Sequence, residues 1–247
     1  MESESGDGFR PWRHPVSLGS SMLLRAMAPS RMLSLLLPAI ALAAAAQWYG
    51  DARYQDAVTG IGAATRLLGL WSPDVLTRGW VWQCLTHMFM HGNLTHLLTN
   101  LLGLVLLGPI VERTVGKRHF IGLYLVSGLC GAACWLALRP QDMIPVVGAS
   151  GAIMGVFGGF LALYPSRKVF VIFLPFLKFQ AWIMGALLLL AHIVLMIRPE
   201  WLGIPVAYEV HIGGLVGGAL YTWLVFIPAY TARLRRQGLI DVLKPKP

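Results

Sequence analysis

Four polar residues whose side chains could carry chemistry lie in three widely separated apolar stretches of the sequence. Ser150 belongs to one stretch, His211 to a second, and His96 and Asn100 to a third. A serine hydroxyl is a weak nucleophile until a base removes its proton, and imidazole is the side chain that titrates near neutral pH. The residue types therefore predict a Ser150 nucleophile that is activated by His211.

The sequence offers no acidic third member for such a site. An acid usually orients the histidine, but the apolar stretches contain no Asp or Glu beyond the first residue or two at their edges. Glu209 is two positions from His211 and would face away from it on a helix. The pattern favours a two-residue dyad. It also argues against an aspartyl protease and against a zinc protease, whose motif is His-Glu-x-x-His.

The same stretches contain donors for the oxyanion of a tetrahedral intermediate. His96 and Asn100 are one turn apart on a helix. Ser150, at a helix start, offers free backbone N–H groups and the positive end of the helix dipole. Each residue also has a structural interpretation: Ser150 could cap a helix, Asn100 could bond a neighbouring helix, and His211 could be a satisfied core histidine.

The other histidines of the apolar region are less informative. His87 and His91 stand at i and i+4 and, with His96, could ligate a metal. No cysteine or carboxylate is well placed beside them, so we expect no metal site. We interpret His87 and His91 as lining the mouth of a cavity, and His192, alone in its stretch, as structural.

The composition indicates that these residues lie within a membrane. Hydrophobic residues make up 56% of the 247 residues and charged residues 13%, whereas soluble domains hold about 25% charged residues. Six runs are long enough to span a bilayer: 32–49, 93–111, 120–138, 144–164, 179–197 and 210–230. We therefore predict an all-α bundle of six transmembrane helices. The apolar stretch 169–177 is short and contains Pro175, so we expect it to be interfacial.

Basic residues predict the orientation of these spans. Fifteen of the 20 lysines and arginines fall on the side that holds both termini, and such residues accumulate in cytoplasmic segments. The net charge of +9 is then a topology signal, and we predict no nucleic-acid partner. The second, fourth and sixth spans would all enter from the outer face, so the four polar residues near their starts would share one outer layer.

Two glycine stripes predict a close approach of the fourth and sixth spans, because small residues let membrane helices pack backbone to backbone. Their members are spaced by four residues: Gly151, Gly155 and Gly159, then Gly214 and Gly218. Ser150 directly precedes the first stripe and His211 stands three residues before the second. Parallel packing would therefore bring the hydroxyl and the imidazole together.

At this point the sequence resembles the rhomboid intramembrane serine proteases over residues 30–230. The motifs that carry the resemblance are Gly148-Ala149-Ser150-Gly151, His87-x3-His91-Gly-Asn-x2-His96-x3-Asn100, His211-x2-Gly214-x3-Gly218 and Glu112-x3-Gly116. Three motifs in order on the expected spans are specific, although each alone is short. Their order is similar to that of the six-span bacterial form.

The resemblance implies that Ser150 is the nucleophile and His211 the base. It implies an oxyanion site of His96, Asn100 and the Ser150 N–H, with Gly148 in the loop that shapes it. It implies no cofactor. The implied substrates are single-span membrane proteins, cut in or beside their helix near the outer face. We expect a multi-pass protein in the lipid of a bacterial inner membrane.

Three positions depart from the family pattern. Met154 stands where some members carry a tyrosine that packs on the base, and we place it at the cavity. Val210 replaces an alanine before the histidine, and Gln83 replaces an arginine in the first loop. We expect these changes to affect substrate preference and rate more than the reaction itself.

Two other functions compete with proteolysis. A catalytically silent relative would bind membrane clients, but such proteins generally lack the serine or the histidine, and both are present here. A small transporter would show paired repeats or charged midplane residues, which the sequence lacks.

We divide the chain into a cytoplasmic tail, 1–30, a protease domain, 31–231, and a basic tail, 232–247. The long first loop, 50–92, is rich in tryptophan, which suits the membrane interface. Within it, the run Ile61–Trp71 predicts short interfacial helices.

Overall fold

The computed structural model describes residues 30–55, 60–171, 174–203 and 206–237. They are mostly helical, and the helices in chain order are α1 (Leu33–Arg53), α2 (Ala63–Leu68), α3 (Ser72–Arg78), α4 (Gln83–Thr86), α5 (Leu94–Leu138), α6 (Ser150–Leu163), α7 (Ala181–Ile197), α8 (Tyr208–Tyr221) and α9 (Ile227–Arg236). A π-helical turn joins α8 to α9. Almost all of the predicted N-terminal tail, and the predicted C-terminal tail beyond residue 237, lie outside the described residues.

In the part of the chain that the structure describes, four stretches of helix are long and apolar enough to cross a membrane: Leu33–Arg53, Leu94–Val115, Lys117–Leu138 and Tyr208–Arg236. Helices α6 and α7 are apolar but shorter, with 14 and 17 residues. At the usual helical rise, α6 is roughly 21 Å long, which is less than the hydrocarbon core of about 30 Å. The count of six spans therefore stays a prediction.

The predicted run 144–164 is wrong at its N-terminal end, because α6 begins only at Ser150. The chain before it is extended, and Val146 pairs with Leu70 through two backbone hydrogen bonds of 2.8 and 2.9 Å. Pro145 also disfavours helix at the residue that precedes it. The serine is therefore the first residue of its helix.

A β-hairpin between α6 and α7 corrects the prediction of an all-α fold. Strand β1 (Lys168–Val171) pairs antiparallel with β2 (Leu174–Gln180). The pair overlaps the apolar stretch 169–177, which we predicted to be interfacial without assigning strands. Its β-branched and aromatic residues favour an extended backbone.

Helix α5 consists of two parts, Leu94–Val115 and Lys117–Leu138, which correspond to two of the predicted spans. Gly116 interrupts it with φ 78° and ψ 162°, a region of backbone space that favours glycine. The chain thus turns at this point without a separate loop. Helices α2 to α4 confirm the short helices that we predicted for the first loop.

The buried carboxylate of Glu112, just before this kink, holds the start of α1. It accepts hydrogen bonds from the backbone N–H groups of Met32 at 3.0 Å and Leu33 at 3.1 Å, and from the hydroxyl of Ser30. The first N–H groups of a helix have no partner within it, and a carboxylate suits the positive end of the helix dipole. This contact ties α1 to the turn in the middle of α5.

The two glycine stripes face each other where α6 packs on α8. A β-carbon at Gly214 would overlap the carbonyl oxygen of Gly151, and one at Gly218 would overlap that of Gly155. A β-carbon at Gly159 would lie 2.8 Å from a methyl carbon of Leu123 on α5. Glycine at these positions therefore allows backbone-to-backbone contact within the group formed by α5, α6 and α8.

We expect Gly214→Ala to lower the free energy of unfolding by about 1–3 kcal/mol or more, because the added methyl group forces two backbones apart. The matched control is Gly103→Ala on α5, where the added carbon would meet only a side-chain methyl of Ile153, at 3.2 Å. Thermal unfolding in detergent measures both variants. Equal melting temperatures for the two would contradict the backbone contact.

Candidate active site

The loop before α6 presents Ser150 at the start of that helix. Gly148 has φ 128°, which strongly favours glycine, and its N–H donates to the carbonyl of His87 at 2.9 Å. The turn follows at Ala149, and α6 begins with Ser150. The loop is therefore held between α6 and the segment that contains His87.

The start of α8 presents His211 to the same point. A buried Glu209 accepts from Arg139 at 2.7 Å, which ties the first turn of α8 to the end of α5. His211 is in that first turn, and its Nε2 lies 2.8 Å from the Oγ of Ser150. The structure thus brings together two residues that are 61 positions apart in the chain.

Val210 fills the space between α8 and its two neighbours. A β-carbon at Gly151 would lie 2.6 Å from Cγ1 of Val210, and a β-carbon at Gly131 would lie 2.9 Å from the same atom. The valine that replaces the family's alanine is therefore accommodated by glycines on α6 and α5. Met154 lies one turn after Ser150 and is partly buried.

His192, which we interpreted as structural, contacts the ring of His211. Its Nε2 lies 3.0 Å from Nδ1 of His211, on the side of that ring opposite Ser150. Its own Nδ1 lies 2.8 Å from the carbonyl oxygen of Leu188, one turn earlier on α7. The only signal in the sequence is a lone histidine within an apolar stretch, which does not reveal a partner on another helix.

His96 packs against Gly148, in the loop that carries Ser150. It lies in the first turn of α5, where the side chain of Asn93 accepts from its backbone N–H at 2.8 Å. A β-carbon at Gly148 would lie 2.7 Å from Nε2 of His96 and 3.7 Å from Oγ of Ser150. Because Gly148 has no side chain, the imidazole of His96 packs tightly against the loop that carries Ser150.

Asn100 is buried one turn after His96. Its Nδ2 donates to the carbonyl of His96 at 2.7 Å, and its Oδ1 has no hydrogen-bond partner among the residues that the structure describes. One of its two amide hydrogens is therefore engaged within its own helix. The other remains as a donor.

His87 and His91 are fully buried and do not line a cavity mouth. Helix α1 contacts His91: the side chain of Gln47 accepts from the N–H of His91 at 2.7 Å, and Trp48 donates to its carbonyl at 2.6 Å. Burial lowers the pKa of each imidazole from 6.5 to about 4. Within the described residues, no group of three His, Cys, Asp or Glu could hold a metal ion.

Gln83 occupies the position where many members carry arginine. It is buried. Its Oε1 accepts from the N–H of Trp71 at 2.9 Å, and its Nε2 donates to the carbonyls of Arg66 at 3.2 Å and Leu67 at 3.4 Å. A neutral amide thus joins three backbone groups without an ion to desolvate.

We expect the free energy of unfolding to fall by about 2 kcal/mol per fully buried histidine between pH 7 and pH 5. The pKa of His87 in the folded protein is lowered to about 4. The stability that the neutral imidazole contributes is therefore fully present above pH 6.5 and is lost as the pH falls toward 4. His87→Phe should flatten this dependence. Melting temperatures at pH 7, 6 and 5 provide the test, and parallel curves for the two proteins would contradict it.

Comparison with known proteins identifies the family of this chain. The family model of the rhomboid domain matches residues 78–228. The chain is 33% identical over 173 residues to the YdcA protein of Bacillus subtilis. The aligned residues are 69% of this chain and 75% of YdcA. It is 35% identical over 99 residues to the Bacillus subtilis rhomboid protease GluP. These residues are 40% of this chain and 19% of GluP.

A third relative is the mitochondrial rhomboid protein 1 of Saccharomyces cerevisiae, 30% identical over 160 residues, which are 60% of this chain and 43% of that protein. The chain thus spans most of YdcA but less than half of GluP and of the yeast protein. The match to the rhomboid domain extends from the first loop, through α5 and α6, to the π-helical turn after α8. With its membrane-spanning helices, the chain belongs to the rhomboid family of integral membrane proteins.

Proposed function

We propose that the chain is an intramembrane serine endopeptidase in which Ser150 is the nucleophile and His211 the general base. The observation that supports this most directly is the distance of 2.8 Å between Oγ of Ser150 and Nε2 of His211, which suits proton transfer. The rhomboid domain and the name of GluP support the same reaction class.

The reaction proceeds in two steps. The Oγ of Ser150 attacks the peptide carbonyl while its proton passes to Nε2 of His211, and the resulting imidazolium then protonates the leaving amine as the C–N bond breaks. In the second step, His211 takes a proton from water, the hydroxide oxygen bonds to the acyl carbon, and the proton returns to the Ser150 oxygen as the ester bond breaks. The reaction requires no cofactor.

We propose that the oxyanion lies beside Ser150, between the ring of His96 and the start of α6. His96 packs against Gly148 there, and the first N–H groups of a helix have no partners within it. Asn100 can contribute its second amide hydrogen. Donors that are already in place where charge develops lower the barrier because they need no reorganisation during the reaction.

The length of α6 supports a site below the membrane surface. Since α6 is roughly 21 Å long, a helix that reaches the cytoplasmic boundary would place Ser150 about 10 Å below the outer boundary of the hydrocarbon core. We propose that α1, the two parts of α5, α6, α7 and α8 together make the six spans of one protease domain, with both termini cytoplasmic.

We propose single-span membrane proteins as substrates and the bacterial inner membrane as the location. A helical substrate protects its scissile carbonyl in its own hydrogen bonds, so residues that destabilise a helix should favour cleavage. The similarity to YdcA and GluP of Bacillus subtilis supports the bacterial location.

Ser150→Ala and His211→Ala should each reduce cleavage of a transmembrane substrate by at least about 1,000-fold, because either change removes a group that makes and breaks bonds. The matched controls are Ser166→Ala, at an exposed position, and His119→Ala, beside Tyr221 and far along the chain from the site. Fluorophosphonate labelling followed by mass spectrometry gives a second measurement. An unlabelled Ser150 in a folded protein without proteolysis would favour the client-binding alternative.

Gly148→Ala should reduce cleavage by about 100-fold, because the added carbon would lie 2.7 Å from Nε2 of His96 and would displace this donor from its position beside Ser150. Gly79→Ala is the matched control: Gly79 also has a positive φ, 71°, but an added carbon there meets nothing within 4 Å. Both variants therefore strain the backbone, and only Gly148→Ala displaces His96. Equal cleavage by the two variants would refute the proposed role of His96 at the oxyanion.

A further inference from the structure

We propose that His192 is a positioning residue that holds His211 in the tautomer needed for catalysis, so that the site operates as a chain of serine, histidine and histidine. The inference rests on the proposed function, in which His211 accepts the proton of Ser150. This series of hydrogen bonds begins at the carbonyl of Leu188 and ends at the hydroxyl of Ser150.

The donor and acceptor of each hydrogen bond in this series follow from the carbonyl of Leu188. A carbonyl oxygen can only accept, so the Nδ1 of His192, at 2.8 Å from the Leu188 oxygen, must carry a hydrogen. In a neutral imidazole the other nitrogen is then an acceptor. The Nε2 of His192 therefore accepts from Nδ1 of His211 across 3.0 Å.

The same logic fixes the second imidazole. Because Nδ1 of His211 carries the hydrogen, its Nε2 has a free lone pair, and this atom lies 2.8 Å from the Ser150 hydroxyl. The opposite tautomer would direct an N–H at the serine and leave no base to accept its proton. Selecting the tautomer is one task of the acid in a catalytic triad.

Among the residues that the structure describes, no carboxylate forms a hydrogen bond with His211. Glu209 is nearby in sequence, but its carboxylate is paired with Arg139. His192 reaches the ring from α7 instead, and its own ring packs edge to face on Tyr208, with 5.6 Å between ring centroids and an interplanar angle of 80°. The contacts with Leu188 and Tyr208 hold the accepting nitrogen in place.

His192 takes up no proton in this scheme. When Ser150 transfers its proton to Nε2 of His211, the positive imidazolium donates a stronger hydrogen bond through Nδ1 to the neutral His192. The contact therefore favours the transition state more than the resting enzyme. Such a contribution lowers the barrier and leaves substrate binding unchanged.

The test compares His192→Phe with His192→Gln in the full-length protein in detergent, with a transmembrane substrate. Phenylalanine keeps a ring beside Tyr208 but has no acceptor, whereas the side-chain oxygen of glutamine can accept from His211. We expect the phenylalanine variant to lose about 10- to 100-fold in kcat with KM nearly unchanged. We expect glutamine to recover most of this loss, and the rates of fluorophosphonate labelling to follow the same order.

Three results would overturn the inference: wild-type kcat in His192→Phe, a glutamine variant no faster than the phenylalanine variant, or a change in KM alone. Melting temperatures establish that each variant is folded, and His192→Leu replaces the phenylalanine variant if that protein does not fold. Ser150→Ala and His211→Ala are measured in the same assay. Retained cleavage in those two would refute the proposed function itself, whereas their inactivity with an unaffected His192→Phe would refute only the role of His192.

Discussion

The close backbone contact between α6 and α8 is the constraint on which the rest of the molecule depends. Lipid tails are as apolar as the side chains they surround, so two membrane helices gain little from burying apolar surface against each other and associate through close packing. Gly151 faces Gly214, and Gly155 faces Gly218, without an intervening side chain. The donor–acceptor distance of a hydrogen bond can vary by only a few tenths of an ångström. The contact between Ser150 and His211 therefore exists only at this separation of α6 and α8.

Buried polar groups around this contact hold the connecting segments in place. Glu112 binds the start of α1, Gln83 joins three backbone groups of the first loop, and Glu209 with Arg139 anchors the start of α8. Burying any of these polar groups without a hydrogen-bond partner would cost free energy. Each group has a partner elsewhere in the chain. These contacts therefore order the loops that a membrane helix alone would leave unspecified.

Much of the fold could be predicted because the membrane imposes simple rules on composition and length. The apolar runs near α1, α5 and α8 match helices, and the fourth-residue spacing of Gly151 and Gly155 indicated which face of α6 would be approached. The start of α6 could not be predicted from hydropathy, because residues 144–149 are as apolar as the helix. Their extended path follows from pairing with Leu70, a contact across 76 positions. Polarity suggests exposure and therefore predicted a cavity mouth for His87 and His91, whereas the fold buries both, with α1 packed against His91.

The sequence by itself determined which chemistry is available. One serine and one histidine beside glycine stripes, with no acid in the apolar stretches, favour a dyad, and these are properties of residue type and spacing that need no structure. Only the tertiary structure decided that His192 contacts the second nitrogen of His211. Periodicity assigns a residue to a face of its own helix, but the rotation and depth of one helix against another are set by packing across several elements at once. A contact between α7 and α8 therefore leaves no trace in the local sequence of either.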